Sequence, residues 1–170
     1  MSTGQSATKP AKQRFFDAYR QEHSTTVKVL GAYPPDKHDF KPHERSNSAL
    51  KLAWTFVVEE QLMLHALTGQ PTLGGGFPTP PDTWAEVLDA YNQGHDAIVR
   101  AIESAADQDL TGTALFFVGP KQTGEIPMEQ FLMFMLHDQI HHRGQLSVYL
   151  RMAGGKVPSI YGPSADEPWS

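Results

Sequence analysis

Residues 136–155, LHDQIHHRGQLSVYLRMAGG, have helical character, and the eight positions 137–144 within them contain three histidines, an arginine and a glycine. His137 and His141 are four residues apart, so on a helix their side chains project from one face about one turn apart. One helix can offer two imidazoles to a metal ion in this way, and we expect both rings to turn inward. The alternative is a hydrogen-bonded or half-exposed surface pair. His142 points about 100° away from His141 and is not expected to join the same site.

The segment HDQIH is similar to the HExxH motif of zinc peptidases, with Asp138 in place of the glutamate that activates water. An aspartate is one methylene shorter than that glutamate. The rest of the helix supplies neither a histidine nor a glutamate at the helical spacing that would complete such a site. The sequence therefore argues against a peptidase.

Helical periodicity along the whole chain indicates four amphipathic helices. The first two are predicted within residues 14–33 and 46–69. The third begins at a capping box formed by Thr83 and Glu86, and the fourth runs from near Pro127 to about Ala153. Two long connections separate them, with a short extended piece at ALFFV and no convincing strand pair. The expected fold is all-α, a four-helix bundle with long connections.

Composition limits the classes of protein that the chain can represent. With 170 residues, 39% of them hydrophobic, it is expected to form one domain over residues 13–170 after a flexible polar tail at residues 1–12. The net charge of −5 argues against binding to nucleic acid or to anionic membranes. No signal-like segment is found, which predicts a cytoplasmic protein. The absence of cysteine excludes disulfides and cysteine-ligated zinc.

Further metal ligands in a bundle core would come from the facing helices. Glu59 lies on the apolar stripe of the second predicted helix, where a carboxylate is costly to bury without a cation or hydrogen-bond donors. Two histidines and one carboxylate would suit a divalent transition metal. The alternative is that Glu59 lies at the boundary and pairs with an Arg or Lys. His95 and His23 lie on apolar stripes too, where a lone histidine is usually hydrogen-bonded rather than a ligand.

The tail HDQIHHRGQLSVYLRMAGGKVPSIYG resembles the closing segment of the DinB/YfiT-like superfamily, and residues 18–54 are similar to the family's first helix, Pro-containing link and second-helix start. The resemblance covers about residues 13–163. It implies a DinB-like four-helix bundle of unusual connection order, often dimeric, with a metal on three histidines. His137 and His141 match the two ligands of the last helix. The third ligand, normally a histidine, is replaced by Thr55, a poor ligand for zinc or nickel.

The remaining motif residues suggest structural roles. Gly144 lies on the face of His137 and His141, where a missing Cβ permits close approach of another helix or of a ligand. Arg143 is expected to fork onto a carboxylate or onto backbone carbonyls and to fix the orientation of its helix. Pro158, Tyr161 and Gly162 indicate a C-terminal segment that folds back along the bundle. Thr55, His95 and Gly144 are the expected pocket residues.

Two functions follow as hypotheses. The first is a metal-dependent enzyme with Zn²⁺ or Ni²⁺ on His137, His141 and Glu59. It would be a thiol S-transferase-like or hydrolase-like enzyme, and a low-molecular-weight thiol cosubstrate would supply the sulfur that the cysteine-free chain lacks. The second is a non-catalytic stress-response or ligand-binding module that has lost the metal. Either is compatible with a homodimer and a small-molecule ligand, and the apolar run MEQFLMFML favours dimerisation.

Overall fold

Four α-helices form the frame of the protein in the computed structural model, which describes residues 9–105 and 110–169. They are α1 (Ala11–Ala32), α2 (Ala49–Leu67), α3 (Trp84–Ser104) and α4 (Met128–Met152), with a 3-10 turn at Pro35–Lys37. Both α1 and α2 pack against α3 and α4. Residues 1–8 of the predicted tail lie outside the described residues. Within the described ranges, no helix is long and apolar enough to cross a membrane.

The predicted helix start signals are present in the structure. The side chain of Thr83 accepts a hydrogen bond from the Glu86 backbone N–H, and the Glu86 carboxylate accepts from the Thr83 backbone N–H, which completes the capping box. Pro127 directly precedes α4, where its missing N–H leaves no donor unsatisfied. These local signals explain why the bounds of α3 and α4 could be predicted.

A two-stranded antiparallel hairpin corrects the all-α prediction. It consists of β1 (Thr113–Gly119) and β2 (Gln122–Pro127), and it packs on α4. β1 has the alternation of a half-buried strand, since Ala114 and Phe116 are buried while Leu115 and Phe117 are exposed. β2, QTGEIP, is mostly polar, and Lys121 rather than a glycine takes the positive φ of the turn (60°). The second strand therefore gave no recognisable signal in the sequence.

The buried side chains form two apolar clusters separated by polar residues. The cluster next to the hairpin includes Phe15, Tyr19, Met63, Ile98, Phe116, Phe131 and Leu132. The other includes Val29, Leu30, Phe56, Trp84, Leu146 and Leu150. On each helix the polar residues lie between the two sets. We call this group the polar layer, and it consists of His23, Thr26, Glu59, Glu60, His95, Gln139 and Arg143.

Arg143 joins α4 to α1 and to the end of the chain. It contacts a carboxylate and a backbone carbonyl, as the sequence predicted. Its guanidinium is 2.7 Å from the Glu22 carboxylate and donates to the Glu22 carbonyl and the Thr26 hydroxyl, both at 3.2 Å. It also donates to the Tyr161 hydroxyl at 2.5 Å, and Tyr161 in turn donates to Glu22 at 2.7 Å. The segment after α4 therefore returns to the bundle, as expected.

Candidate metal centre

Three side chains from α2 and α4 bring metal-binding atoms together at the edge of the polar layer. Glu59 comes from α2, whereas Asp138 and His142 come from α4, and one ligand atom of each lies within 4.8 Å of the others. Nδ1 of His142 is 2.9 Å from Oε1 of Glu59 and 3.9 Å from Oδ1 of Asp138. We refer to these three residues as the carboxylate–histidine triad.

Helix geometry explains how the triad forms. Asp138 and His142 are four residues apart, so they share one face of α4. α4 packs against α2, and Glu59 occupies the turn of α2 between the two apolar clusters. The packing of two helices therefore brings together a carboxylate that is buried and two groups that are partly exposed.

Burial and the proximity of two carboxyl groups determine the electrostatics of the triad. Burial raises the pKa of Glu59 well above its ordinary value, and the neighbouring Asp138 carboxylate raises it further. Burial also lowers the pKa of His142, which favours the neutral imidazole that binds metals. Glu59 is 3% exposed, and its Oε2 meets no hydrogen-bond donor among the described residues. A buried carboxylate oxygen without a partner is costly, and a bound cation would remove that cost.

A cavity of about 330 Å³ opens onto two members of the triad. Glu59 and Asp138 line one part of it, and Thr55, one turn before Glu59 on α2, also lines it. Most of the other lining residues are apolar, and they include Trp54, Val58, Leu62, Phe77, Phe116 and Met135. The indole N–H of Trp54 donates to the Pro78 carbonyl at 2.7 Å, which holds the loop before α3 over the cavity.

His137 and His141 are both exposed, so the expectation that these rings turn inward is wrong. The inward stripe of α4 runs through Met135, Gln139 and Leu146, and His137 lies about 200° around the helix from the first two of these. His141 instead contacts the side-chain amide of Gln145 at 2.7 Å. Asp138 and His142 have the same four-residue spacing as His137 and His141 and lie one position further along α4.

The other predicted site residues have mixed outcomes. Glu59 is in the triad, and its partner is His142 rather than an Arg or Lys. Thr55 lines the cavity, where its hydroxyl donates to the Lys51 carbonyl at 3.3 Å. His95 lies elsewhere in the polar layer, stacked on His23 with ring centroids 3.5 Å apart. Gly144 is exposed, and no close approach is found: among the described residues, nothing beyond its local helix backbone comes within 4 Å of an added Cβ.

Comparison with known proteins agrees with this architecture. The family model of the DinB family matches residues 1–169. The chain belongs to the DinB family. The chain is also 36% identical over 157 residues to the uncharacterized protein YrdA of Bacillus subtilis (strain 168), covering 90% of this chain and 89% of YrdA.

Two solved DinB-like proteins share the fold. The crystal structure of a DinB-like protein from Bacillus cereus ATCC 10987 matches with a TM-score of 0.73 and 26% identity, covering 88% of this chain and 97% of that chain. The structure of the DinB-like protein YjoA from Bacillus subtilis matches with a TM-score of 0.66 and 17% identity, covering 85% and 96%. The second match, at that identity, supports the fold alone.

Proposed function

We propose that this DinB protein is a metal-dependent enzyme whose divalent cation is bound by Glu59, Asp138 and His142. The buried Oε2 of Glu59 carries the proposal, because it has no donor among the described residues and lies beside two further ligand groups. Glu59 is kept from the sequence hypothesis. Asp138 and His142 take the place of His137 and His141, whose rings are exposed.

The donor set is compatible with several divalent metals. Two carboxylates and one imidazole bind Zn²⁺ or Ni²⁺, and their oxygen content also suits Mn²⁺. Such a cation lowers the pKa of a bound thiol or water and so supplies a nucleophile near neutral pH. The chain contains no cysteine, so a reacting sulfur would arrive with a low-molecular-weight thiol. The apolar lining of the cavity would exclude water from the organic part of a substrate.

Metal titration of matched variants tests the proposal. Purified, tag-free protein is titrated with Zn²⁺, Ni²⁺ and Mn²⁺, and bound metal is measured by elemental analysis and calorimetry. We expect about one ion per chain, and Glu59→Gln, Asp138→Asn and His142→Gln should each weaken binding by at least about tenfold.

The control is the double variant His137→Gln, His141→Gln, which removes two exposed imidazoles and leaves the triad intact. We expect its affinity to equal that of the parent. A double variant that loses the metal while Glu59→Gln keeps it would return the site to the outer face of α4. A stoichiometry near zero in excess of all three metals would end the metal-enzyme proposal.

The second candidate is a ligand-binding module without competent metal chemistry, and Thr55 is the observation in its favour. Its hydroxyl donates to the Lys51 carbonyl instead of offering a nitrogen to the cavity. On this reading, Thr55→His would create or greatly tighten metal binding, while the parent protein binds little. Equal affinity of the two proteins would count against it.

We also propose that the protein forms a homodimer through the outer face of α4. Exposed residues there repeat at helical spacing, and they are Phe134, His137, His141, Gly144 and Val148. Phe134 and Val148 are exposed apolar residues of this face, and exposed apolar residues on a helix are typical of an interaction surface. Sedimentation at micromolar concentration should give a dimer that Val148→Glu dissociates, and a monomeric parent would contradict the proposal.

A further inference from the structure

The side of α2 that lines the cavity changes from exposed to buried along its length. Lys51, Thr55 and Glu59 lie on this side at intervals of four residues. Lys51 is exposed, Thr55 is half-buried and Glu59 is buried. Eight residues of helix correspond to a rise of about 12 Å, so Lys51 marks the open end of the cavity and Glu59 the closed end.

Between these two ends the cavity is bounded by apolar side chains from four parts of the fold. Trp54 comes from α2, Phe77 from the loop before α3, Phe116 from β1 and Met135 from α4. Phe77 is 58% exposed, which leaves a large apolar surface in water beside an apolar cavity. A ligand with an apolar body would cover that surface and gain the free energy of its burial.

The ionisable groups at the two ends of the cavity differ. The closed end carries the carboxylates of Glu59 and Asp138, whereas Lys51 places an ammonium group at the open end. Lys51 makes no ion pair with any residue in the described ranges, and Asn47 beside it adds a polar side chain. An acidic group on a ligand would therefore be attracted to the open end, where Lys51 is its ionic partner.

We propose that this cavity binds a small organic acid, with a ring-sized apolar body against Trp54, Phe77 and Phe116 and an acidic group paired with Lys51. The cavity of about 330 Å³ is at the small end of the range for ligand pockets. The inference rests on the proposed function for the closed end, where the opposite end of the ligand would meet the metal held by the triad. It names the class of substrate for that site.

The test uses a matched pair of probes that differ in the terminal group, which is a charged carboxylate in one and a neutral hydroxyl in the other. 4-Phenylbutanoate and 4-phenylbutan-1-ol have the same body and length, and butanoate lacks the ring. Dissociation constants are measured by calorimetry or ligand-observed NMR in protein stripped with EDTA. We expect the acid to bind about fivefold more tightly than the alcohol, the upper range for an exposed ion pair, and butanoate to bind more weakly than either.

Two variants assign the effect to the cavity. Lys51→Gln should remove the preference for the acid, while Lys28→Gln, which makes the same charge change at an exposed position of α1, should keep it. Phe77→Ala should weaken both phenyl probes to a similar extent, because it removes apolar contact and no charge. Equal binding of acid and alcohol to the parent, or an unchanged ratio in Lys51→Gln, would overturn the inference.

The stripped protein separates this inference from the metal proposal. Lys51 and the apolar lining contain no proposed metal ligand, so the preference for the acid should persist without metal. If the preference is present and the metal titration fails, only the metal-enzyme proposal falls. If metal binds at the triad and the stripped protein does not discriminate between the probes, only the organic-acid inference falls.

Discussion

Glu59 and Glu60 are neighbours in the chain and both are buried, yet their surroundings differ. Both carboxylate oxygens of Glu60 have partners: Oε2 accepts from the Tyr19 hydroxyl, and Oε1 accepts from the Gln139 amide at 3.1 Å. Glu59 bonds to His142 through one oxygen, and its second oxygen has no donor among the described residues. Adjacent residues differ by about 100° around a helix, so one carboxylate faces the closed core and the other faces the cavity.

Glu60 therefore has a structural role, whereas Glu59 has a carboxylate oxygen that can still accept a ligand. Burial raises the pKa of Glu60 to about 8, although the hydrogen bonds from Tyr19 and Gln139 act in the opposite direction. Gln139 also accepts from the Tyr91 hydroxyl at 3.1 Å, so the Glu60 network joins α1, α2, α3 and α4. Glu60 thus holds the helices together, and Glu59 is left available to a ligand.

The largest expected effect comes from removing the Glu60 carboxylate. Glu60→Ala leaves the Tyr19 hydroxyl and the Gln139 amide without acceptors, so we expect it to lower the free energy of unfolding by about 3 kcal/mol. Glu59→Gln keeps the shape of its side chain and should change it by less than about 1 kcal/mol in EDTA. Urea unfolding of both variants measures this, and an equal loss in the two would erase the distinction between the carboxylates.

A methyl group added at Gly94 probes how tightly the Glu60 side is packed. A Cβ there would lie 2.9 Å from Cβ of Glu60, so we expect Gly94→Ala to destabilise the protein by about 2 kcal/mol. Gly144→Ala is the matched control, because nothing beyond its local helix backbone approaches an added Cβ within the described residues. It should stabilise α4 by about 0.5 kcal/mol through helix propensity. Thermal unfolding compares the two, and a harmless Gly94→Ala would contradict the close packing.

The histidines on the Glu60 side should make stability sensitive to acid. Tyr19 stacks on His95 at 4.8 Å, and His95 stacks on His23. Burial, with a smaller contribution from His95, lowers the pKa of His23 to about 4. The unfolded chain therefore binds more protons below pH 6.5, and the stability that His23 contributes above that pH is lost as the pH falls towards 4.

We expect His23 to account for about 1 kcal/mol of lost stability between pH 7.5 and 5, less than full linkage because the ring is partly exposed. The measurement is urea unfolding of the parent and of His23→Gln at both pH values. Glu60, whose pKa is raised, changes stability in the opposite direction, but it does so in both proteins. The difference between the parent and His23→Gln in their loss of unfolding free energy therefore isolates the contribution of His23. His43→Gln, at an exposed position, is the control, and parallel pH profiles for the parent and His23→Gln would contradict the prediction.

Much of the helical frame could be predicted from the sequence because its signals are local. The capping box joins Thr83, the N-cap residue of α3, to Glu86 in the first turn of that helix. Pro127 likewise acts only on the first turn of α4, which directly follows it. The hairpin was missed because β2 is polar and is stabilised by its pairing with β1, and pairing is a contact between segments.

The candidate site was predicted only in part, because one of its signals is local and the others depend on contacts between helices. The cost of burying a carboxylate identified Glu59, but helical spacing alone could not choose between His137 with His141 and Asp138 with His142. That choice depends on which face of α4 meets α2. Apolar residues occur around most of the first half of α4, so periodicity does not define that face. Glu60 was missed because α2 contacts both α3 and α4, which buries a second face of the helix.

The contacts of Arg143 have a practical consequence for anyone who handles the protein. His142 is its immediate neighbour, and Arg143 is joined to Tyr161 in the returning C-terminal segment. Shortening the chain before Tyr161, or fusing a bulky tag that displaces this segment, would remove the Tyr161 contact and leave Arg143, next to a proposed metal ligand, with Glu22 and Thr26 alone. Affinity tags therefore belong at the amino end when metal content is to be measured.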